Sequence, residues 1–86
     1  MITYREDDGW GVLGDPTRRS IVLQLAQRPQ AVVELASSLP ISRPAVSQHL
    51  KVLKDAGVLD CEKHGLFMYY YVRPGALDEL AGWLTR

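Results

Sequence analysis

Between Ile41 and Gly57 the chain reads ISRPAVSQHLKVLKDAG, and this stretch restricts the fold more than any other. Ser42 suits an N-cap, where its hydroxyl can accept from an amide left free in the first helical turn. Pro44 is tolerated beside it because first-turn amides have no intrahelical partner to lose. Gly57 follows the last periodic residue and reads as a stop signal. At about 100° per residue, Arg43 to Asp55 divides into two arcs. Arg43, Pro44, Ser47, Gln48, Lys51, Lys54 and Asp55 fill one; Ala45, Val46, His49, Leu50, Val52 and Leu53 fill the other.

Amphipathicity alone would describe any surface helix, so the chemistry of the polar arc decides more. Its N-terminal half sets the short hydrogen-bonding groups of Ser47 and Gln48 beside Arg43, and its C-terminal half carries lysines. Glutamine can pair with adenine, arginine with guanine and serine with either, while lysines suit phosphates. A helix that reads bases is the expectation.

With 86 residues, the chain is expected to form one domain. A domain this small buries only about 60% of its unfolded surface, so oligomerisation would help it. An apolar fraction of 47% fits a globular protein, not a disordered one. No apolar run approaches the roughly 20 residues that span a bilayer, and the acidic start MITYREDDG lacks a signal peptide's apolar core. Cys61 is the only cysteine, which excludes an internal disulfide and a multi-cysteine metal site within one chain. A cytoplasmic protein with no membrane partner is expected.

Zero net charge argues at first against a nucleic-acid partner, but its distribution reverses that. Residues 1–15 set Arg5 against Glu6, Asp7, Asp8 and Asp15, a net of −3. Residues 16–54 set Arg18, Arg19, Arg28, Arg43, Lys51 and Lys54 against Glu34, a net of +5. Residues 55–86 set Lys63, Arg73 and Arg86 against Asp55, Asp60, Glu62, Asp78 and Glu79, a net of −2. The positive charge lies where the base-reading unit is expected.

Elsewhere the pattern supplies the frame. Trp10, Val12 and Leu13 suggest a short helix, imperfect because Gly9, Gly11 and Gly14 each cost roughly 1 kcal/mol relative to alanine. Asp15-Pro16-Thr17 is a strong helix start, and the helix is predicted over about 16–27 with Ile21, Val22, Leu25 and Ala26 inward. The next helix, about 32–39, turns Val32, Leu35, Ala36 and Leu39 to one face. Glu34 would complete a capping box, but Ala31 has no side-chain acceptor, so this helix is expected to fray at its start. A short turn through Pro40 and Ile41 leads to the helix at about 43–56. Period two then marks strands at Val58–Glu62 and Leu66–Val72 around a bend at Lys63-His64-Gly65. Met68, Tyr70 and Val72 are predicted to face the core, and Phe67, Tyr69 and Tyr71 the other side. A last helix, about 75–84, spaces Leu77, Leu80, Ala81 and Leu84 on one side with Trp83 alongside. The fold class is mainly α with a small β-ribbon over about 58–72: a single winged helix-turn-helix domain across residues 1–86.

DPTRRSIVLQLA, VVELASSLPISRPAVSQHLKVLKDAGVL and the ribbon ending MYYYV resemble the ArsR-type (ArsR/SmtB) winged-helix repressors over roughly residues 10–84. The order DPTRR, ELA, then SxxxVSxHLxxLxxAGxL carries the resemblance; no one motif would suffice. It implies a homodimer paired through terminal helices, with two reading helices in successive major grooves of an imperfect palindrome. The apolar last helix supports that pairing, since Trp83 and Leu84 exceed what so small a body can cover. The resemblance also implies repression of the protein's own operon and, in many members, release of DNA on metal binding. Its DNA-facing positions at the start of the reading helix match Arg43, Pro44, Ser47 and Gln48, four residues of the polar arc. Three departures stand out. The helix matching the family's Cys-x-Cys-like metal motif reads AVVELASSL; the last helix has Asp78 and Glu79 but no histidine; and the wing tip, often arginine-rich, reads Lys63-His64-Gly65-Leu66-Phe67.

Other residues are better explained by packing. His49, on the apolar arc, is expected as a packed, hydrogen-bonded histidine and not a ligand. Cys61 shares a face with Leu59 and is expected to be a small apolar residue, not a redox sensor. Tyr69-Tyr70-Tyr71 alternates in a strand, which favours packing over base stacking. Asp78-Glu79 reads as a solvated face. With no phosphate-cradling glycine motif, metal cluster or nucleophile–base pair, catalysis is excluded, and no cofactor or metal is expected.

The expected function is a DNA-binding transcriptional repressor, with double-stranded DNA and a second copy as partners. Arg43, Ser47 and Gln48 are the base readers, Pro44 makes a shape or methyl contact, and Lys51, Lys63 and His64 are the phosphate contacts. A winged-helix protein-interaction module is the alternative that zero net charge and the arginine-poor wing favour. An effector-sensing repressor with an unrecognised ligand is another.

Overall fold

Asp15 sets the frame of the fold by doing what its sequence context predicts. In a computed structural model, which describes residues 9–79 with side chains from residue 11 onward, Asp15 Oδ1 accepts from the amides of Thr17 at 2.7 Å and Arg18 at 3.2 Å. Pro16 follows at the first helical position, and the helix α2 runs Pro16–Gln27. Before it, a five-residue helix α1 (Gly9–Leu13) buries Val12 completely and packs Leu13 against the core. The carbonyls at the end of α1 are taken by α2: Arg18 Nε donates to Val12 O at 2.8 Å and Arg19 donates to Leu13 O at 2.7 Å. The side chain of Trp10 lies outside the described residues.

Ile21, Val22 and Leu25 of α2 are buried as predicted, but Ala26 is exposed. Inward-facing residues on this helix stop one position earlier than the spacing suggested. Past α2, Gln30–Ala31 forms a two-residue strand β1, then α3 covers Val32–Ser38. Glu34 Oε1 accepts from the Ala31 amide at 3.1 Å, so the half of the capping box that alanine permits is made. A second contact bears on the start of α3: Ala31 is buried and paired in a sheet with Tyr69. Leu35 is buried, with Val32, Ala36 and Leu39 half-buried against the core.

Residues 39–42 then turn the chain into α4 (Arg43–Asp55), capped by Ser42 Oγ, which accepts from the Ala45 amide at 3.2 Å. Its exit is a Schellman turn. Gly57, at φ 80°, donates to Lys54 O, and Val58 donates to Leu53 O, both at 3.0 Å. Leu53 and Val58, which flank that turn, are both buried. The positive φ is why glycine ends this helix.

The wing departs from the sequence reading in its strand count and its turn. β2 spans Leu59–His64 and β3 spans Phe67–Val72, and the sheet has three antiparallel strands in the order β1-β3-β2. Lys63 and His64 lie in β2, opposite Met68 and Phe67; the turn is Gly65-Leu66. Gly65 has φ 63° and Leu66 does not share the positive φ, the pattern of a two-residue turn with glycine in its first central position. Tyr70 and Val72 pack on the core as expected, but Met68 is 42% exposed. The ribbon outruns the hydrophobic body before it reaches Met68.

After Val72, Arg73 donates to Gly57 O and pairs with Glu79 at 3.0 Å. It ties the exit of α4 to residues 76–79, which are helical. Pro74 and Gly75 form the turn before that helix and do not open it. Residues 80–86, including Leu80, Ala81, Trp83 and Leu84, lie outside the described residues.

Candidate nucleic-acid interface

α4 presents its polar arc because its other side is locked down. Val46, Leu50 and Leu53 have no exposed surface and sit in one cluster with Ile21, Leu25, Leu35 and Leu59. At 1.5 Å per residue, the 13 residues of α4 make a rod of about 20 Å, with its N-terminus following the turn from α3. Arg43, Pro44, Ser47, Gln48, Lys51, Lys54 and Asp55 are all exposed. The side chains of Ser47 and Gln48 form no hydrogen bond with any described residue, so their donors and acceptors face solvent. His49 is half-buried and acts electrostatically on Asp15. It lies off the exposed face.

The cations divide into engaged and unengaged groups, which the linear charge map could not show. Arg18 and Arg19 hold the end of α1, and Arg28 pairs with Glu34 at 3.1 Å. Lys51 Nζ lies 2.7 Å from Asp55 Oδ2, one turn further along α4. The Lys54 ammonium is held above its ordinary pKa, first by hydrogen bonding and charge at the Cys61 thiol, then by Asp60 and Tyr70. Cys61 itself is half-buried. Among the described residues, Arg43, Lys54 and Lys63 are the cations outside the hydrogen bonds and ion pairs, and of these Lys54 has the Cys61 thiol and Asp60 acting on it. The positive segment is therefore less available to a polyanion than its net charge suggests, and the availability is concentrated at the start of α4 and on the wing.

On the wing, the strand pleat separates two residues that sequence reading had grouped. Lys63 shares a face with Cys61, Tyr70 and Met68, whereas His64 shares the opposite face with Glu62, Tyr69 and Phe67. His64 Nε2 lies 3.1 Å from Glu62 Oε2, and its ring meets Tyr69 edge-on at 5.8 Å. A phosphate contact from His64 would have to compete with that carboxylate. On the same face Tyr71 has a raised pKa, first from partial desolvation and then from the carboxylates of Asp60 and Glu62. The tyrosines alternate as predicted, with Tyr70 on the core face.

One grouping was missed from the sequence. Leu66 is 92% exposed and Phe67 52% exposed at the wing tip. With Met68 they line a hollow of about 190 Å³ whose other walls are Ala31, Val32, Val33 and Arg43. The apolar run after Gly65 was visible, but only the three-stranded sheet brings it beside the start of α4. Among the described residues, no group of three or more His, Cys, Asp or Glu could hold a metal ion. None of the described helices is long and apolar enough to cross a membrane.

Comparison with known proteins identifies this arrangement. Residues 15–60, from the cap of α2 into β2, match the family described as bacterial regulatory protein, arsR family. The chain is 51% identical to the HTH-type transcriptional regulator Rv2034 of Mycobacterium tuberculosis, over all of this chain and 81% of that protein. It is 33% identical to the transcriptional repressor SdpR of Bacillus subtilis, over 84% of this chain and 80% of that one. Among solved structures, a possible transcriptional regulator for arsenical resistance superimposes with a TM-score of 0.85 at 41% identity, covering 91% of this chain and 81% of that one. The protein thus belongs to the ArsR family, as a winged helix-turn-helix, DNA-binding transcriptional regulator that is not an enzyme.

Proposed function

We propose that the protein is a homodimeric repressor that binds an imperfect palindrome through α4, acting in the cytoplasm. The observation that carries the reading is the exposed, unpartnered group Arg43, Pro44, Ser47 and Gln48 on a helix whose opposite side buries Val46, Leu50 and Leu53. Gln48 and Ser47 read base edges in the major groove with Arg43, and Pro44 adds a shape or methyl contact. Lys63 neutralises phosphate from the wing, Lys51 does so in exchange for Asp55, and His64 contributes when it leaves Glu62. The name of SdpR as a repressor supports the direction of regulation. Pairing through the N- and C-terminal helices would set two copies of α4 about one helical turn apart.

Selection of duplexes from a random pool by the full chain tests this. Enrichment of a two-fold related sequence, with half-site centres about 10 base pairs apart, is expected. So is affinity that falls steeply as salt rises. Enrichment of no sequence, or binding indifferent to salt, would overturn the reading and favour a protein-interaction module. The exposed apolar wing tip would then be the first surface to probe for its partner.

A further inference from the structure

The geometry points to a binding site for a small organic ammonium ion, one with alkyl groups on its nitrogen, on the face of the sheet turned away from the core. The site is a hollow of about 380 Å³ walled by Pro29, Glu62, His64, Tyr69 and Tyr71. It goes beyond the DNA-binding reading, because it concerns a small molecule and the free protein, and it gives a ligand class to an effector-sensing regulator.

The hollow follows from strand register. Asp60 pairs with Tyr71, Glu62 with Tyr69 and His64 with Phe67, so the pleat puts these side chains on one face, while Tyr70 and Val72 pack on the core. On the other flank of β3, Gln30 pairs with Tyr70, which sets Pro29 beside Tyr71. Two residues apart on one strand, Tyr69 and Tyr71 stand about 7 Å from each other. Both are half-buried although they turn away from the core. Two rings and a proline thus form the wall, with a carboxylate at its edge.

Three observations choose the occupant. The first is charge. Asp60 and Glu62 are the acids of this face, and the cations around it are engaged elsewhere. Arg28 pairs with Glu34 and donates to the Pro29 carbonyl, Arg73 pairs with Glu79, and Lys54 lies toward Cys61 and Tyr70. The raised pKa of Tyr71, first from desolvation and then from Asp60, Glu62 and Cys61, reports the same negative field. The second is the rings. The face of a tyrosine attracts a cation, and more so where neighbours exclude water. A metal ion gains little from such walls, and Glu62 with His64 falls short of three ligating side chains. The third is size: about 380 Å³ lies at the lower end of small-molecule sites, and Pro29 offers apolar contact to methyl groups. His64, 3.1 Å from Glu62 and edge-on to Tyr69, occupies the carboxylate that the ammonium takes over.

The test titrates the 15N-labelled full chain with choline chloride at constant ionic strength and follows the amide shifts. Saturable shifts at Glu62, His64, Tyr69 and Tyr71 are expected, with a dissociation constant of about a millimolar. The uncharged isostere 3,3-dimethylbutan-1-ol should bind about tenfold more weakly or worse. Ammonium chloride, which lacks the alkyl shell, should saturate nothing. Glu62→Gln, an exposed change that should melt as the parent does, should weaken choline about three- to tenfold. Tyr71→Leu should do the same, whereas Tyr71→Phe keeps the ring and should bind like the parent. Equal binding of the neutral isostere, or parent-like binding by Glu62→Gln, would overturn the site. So would shifts that do not saturate, or that centre on another surface. A loss in Tyr71→Phe as large as in Tyr71→Leu would assign the contact to the hydroxyl and also overturn it. None of these measurements uses a duplex, so failure of the DNA-binding reading leaves each of them decisive.

Discussion

α4 and the wing both face solvent near Arg43, but they are built on opposite terms. α4 exposes polar groups and is held from behind by three completely buried side chains, Val46, Leu50 and Leu53. The wing tip exposes apolar groups and meets the body across the hollow walled by Ala31, Val32, Val33 and Arg43; the last ribbon residue packed on the core cluster is Tyr70. A base-reading surface must hold hydrogen-bonding groups in fixed positions, so rigidity from packing favours α4. The difference is one of support: the polar surface is fixed by packing behind it, whereas the apolar one is carried on a two-stranded ribbon.

The largest effect should come from removing the anchor of α4. Leu50→Ala deletes a side chain with no exposed surface and should cost about 2–5 kcal/mol in chemical denaturation. A loss under about 1 kcal/mol would mean that α4 is not held through its buried side. Next, Gln48→Ala touches only the exposed face. It should cost about 1–3 kcal/mol of operator binding and relax preference at one base pair, with the denaturation midpoint unchanged. Parent-like binding in titrations of the selected duplex would remove Gln48 from the readers.

A third substitution probes the frame that α4 and the wing share. Asp15→Ala removes the cap of α2 and should cost about 1 kcal/mol at neutral pH. Desolvation pushes the Asp15 carboxyl up, but the amides of Arg18 and Thr17, then the charges of His49 and Arg18, more than offset it, so its pKa is lowered. A depressed carboxylate stabilises the fold above its unfolded pKa, and that contribution is lost as pH falls through the folded value. The gap between parent and Asp15→Ala should therefore narrow below about pH 4, and melting curves across that range would show it. A gap constant with pH would mean that charge at Asp15 plays no part.

The smallest effect concerns Lys51. Lys51→Ala should weaken all duplexes alike and lower the salt slope by about one, while stability shifts by less than about 0.5 kcal/mol because the pair with Asp55 is exposed. Asp55→Ala should act in reverse and strengthen non-specific binding. Unchanged salt slopes in both variants would leave phosphate contact to Arg43 and Lys63.

The helices were legible because each carries its own punctuation. Asp15-Pro16, Ser42 and Gly57 start or stop elements within the reach of a few bonds, and α2 and α4 begin where those residues place them. β1 was not legible. Two residues, Gln30 and Ala31, have no periodicity, and their partners Tyr70 and Tyr69 lie far along the chain. The exposed group Arg43, Pro44, Ser47 and Gln48 followed from helical spacing, whereas Lys63 and His64 were assigned to one bend when the pleat sends them to opposite faces. That error came from placing the turn at Lys63-His64-Gly65 in place of Gly65-Leu66. Gly65 was assigned to the bend, but its position within the turn was not seen.

By itself the sequence determined the order of the helices and of the β2–β3 ribbon, the two faces of α4 and the chemistry on its polar arc, because caps, turns and helical period act over neighbouring residues. Only the tertiary structure decided which of those charges are free and what stands beside them. Arg19, Arg28 and Lys51 are engaged by carbonyls and carboxylates, while Arg43 is left open next to a bare leucine on the wing. The physical reason is distance: whether a cation is available depends on which partner the fold brings within a few ångströms, and composition does not encode that.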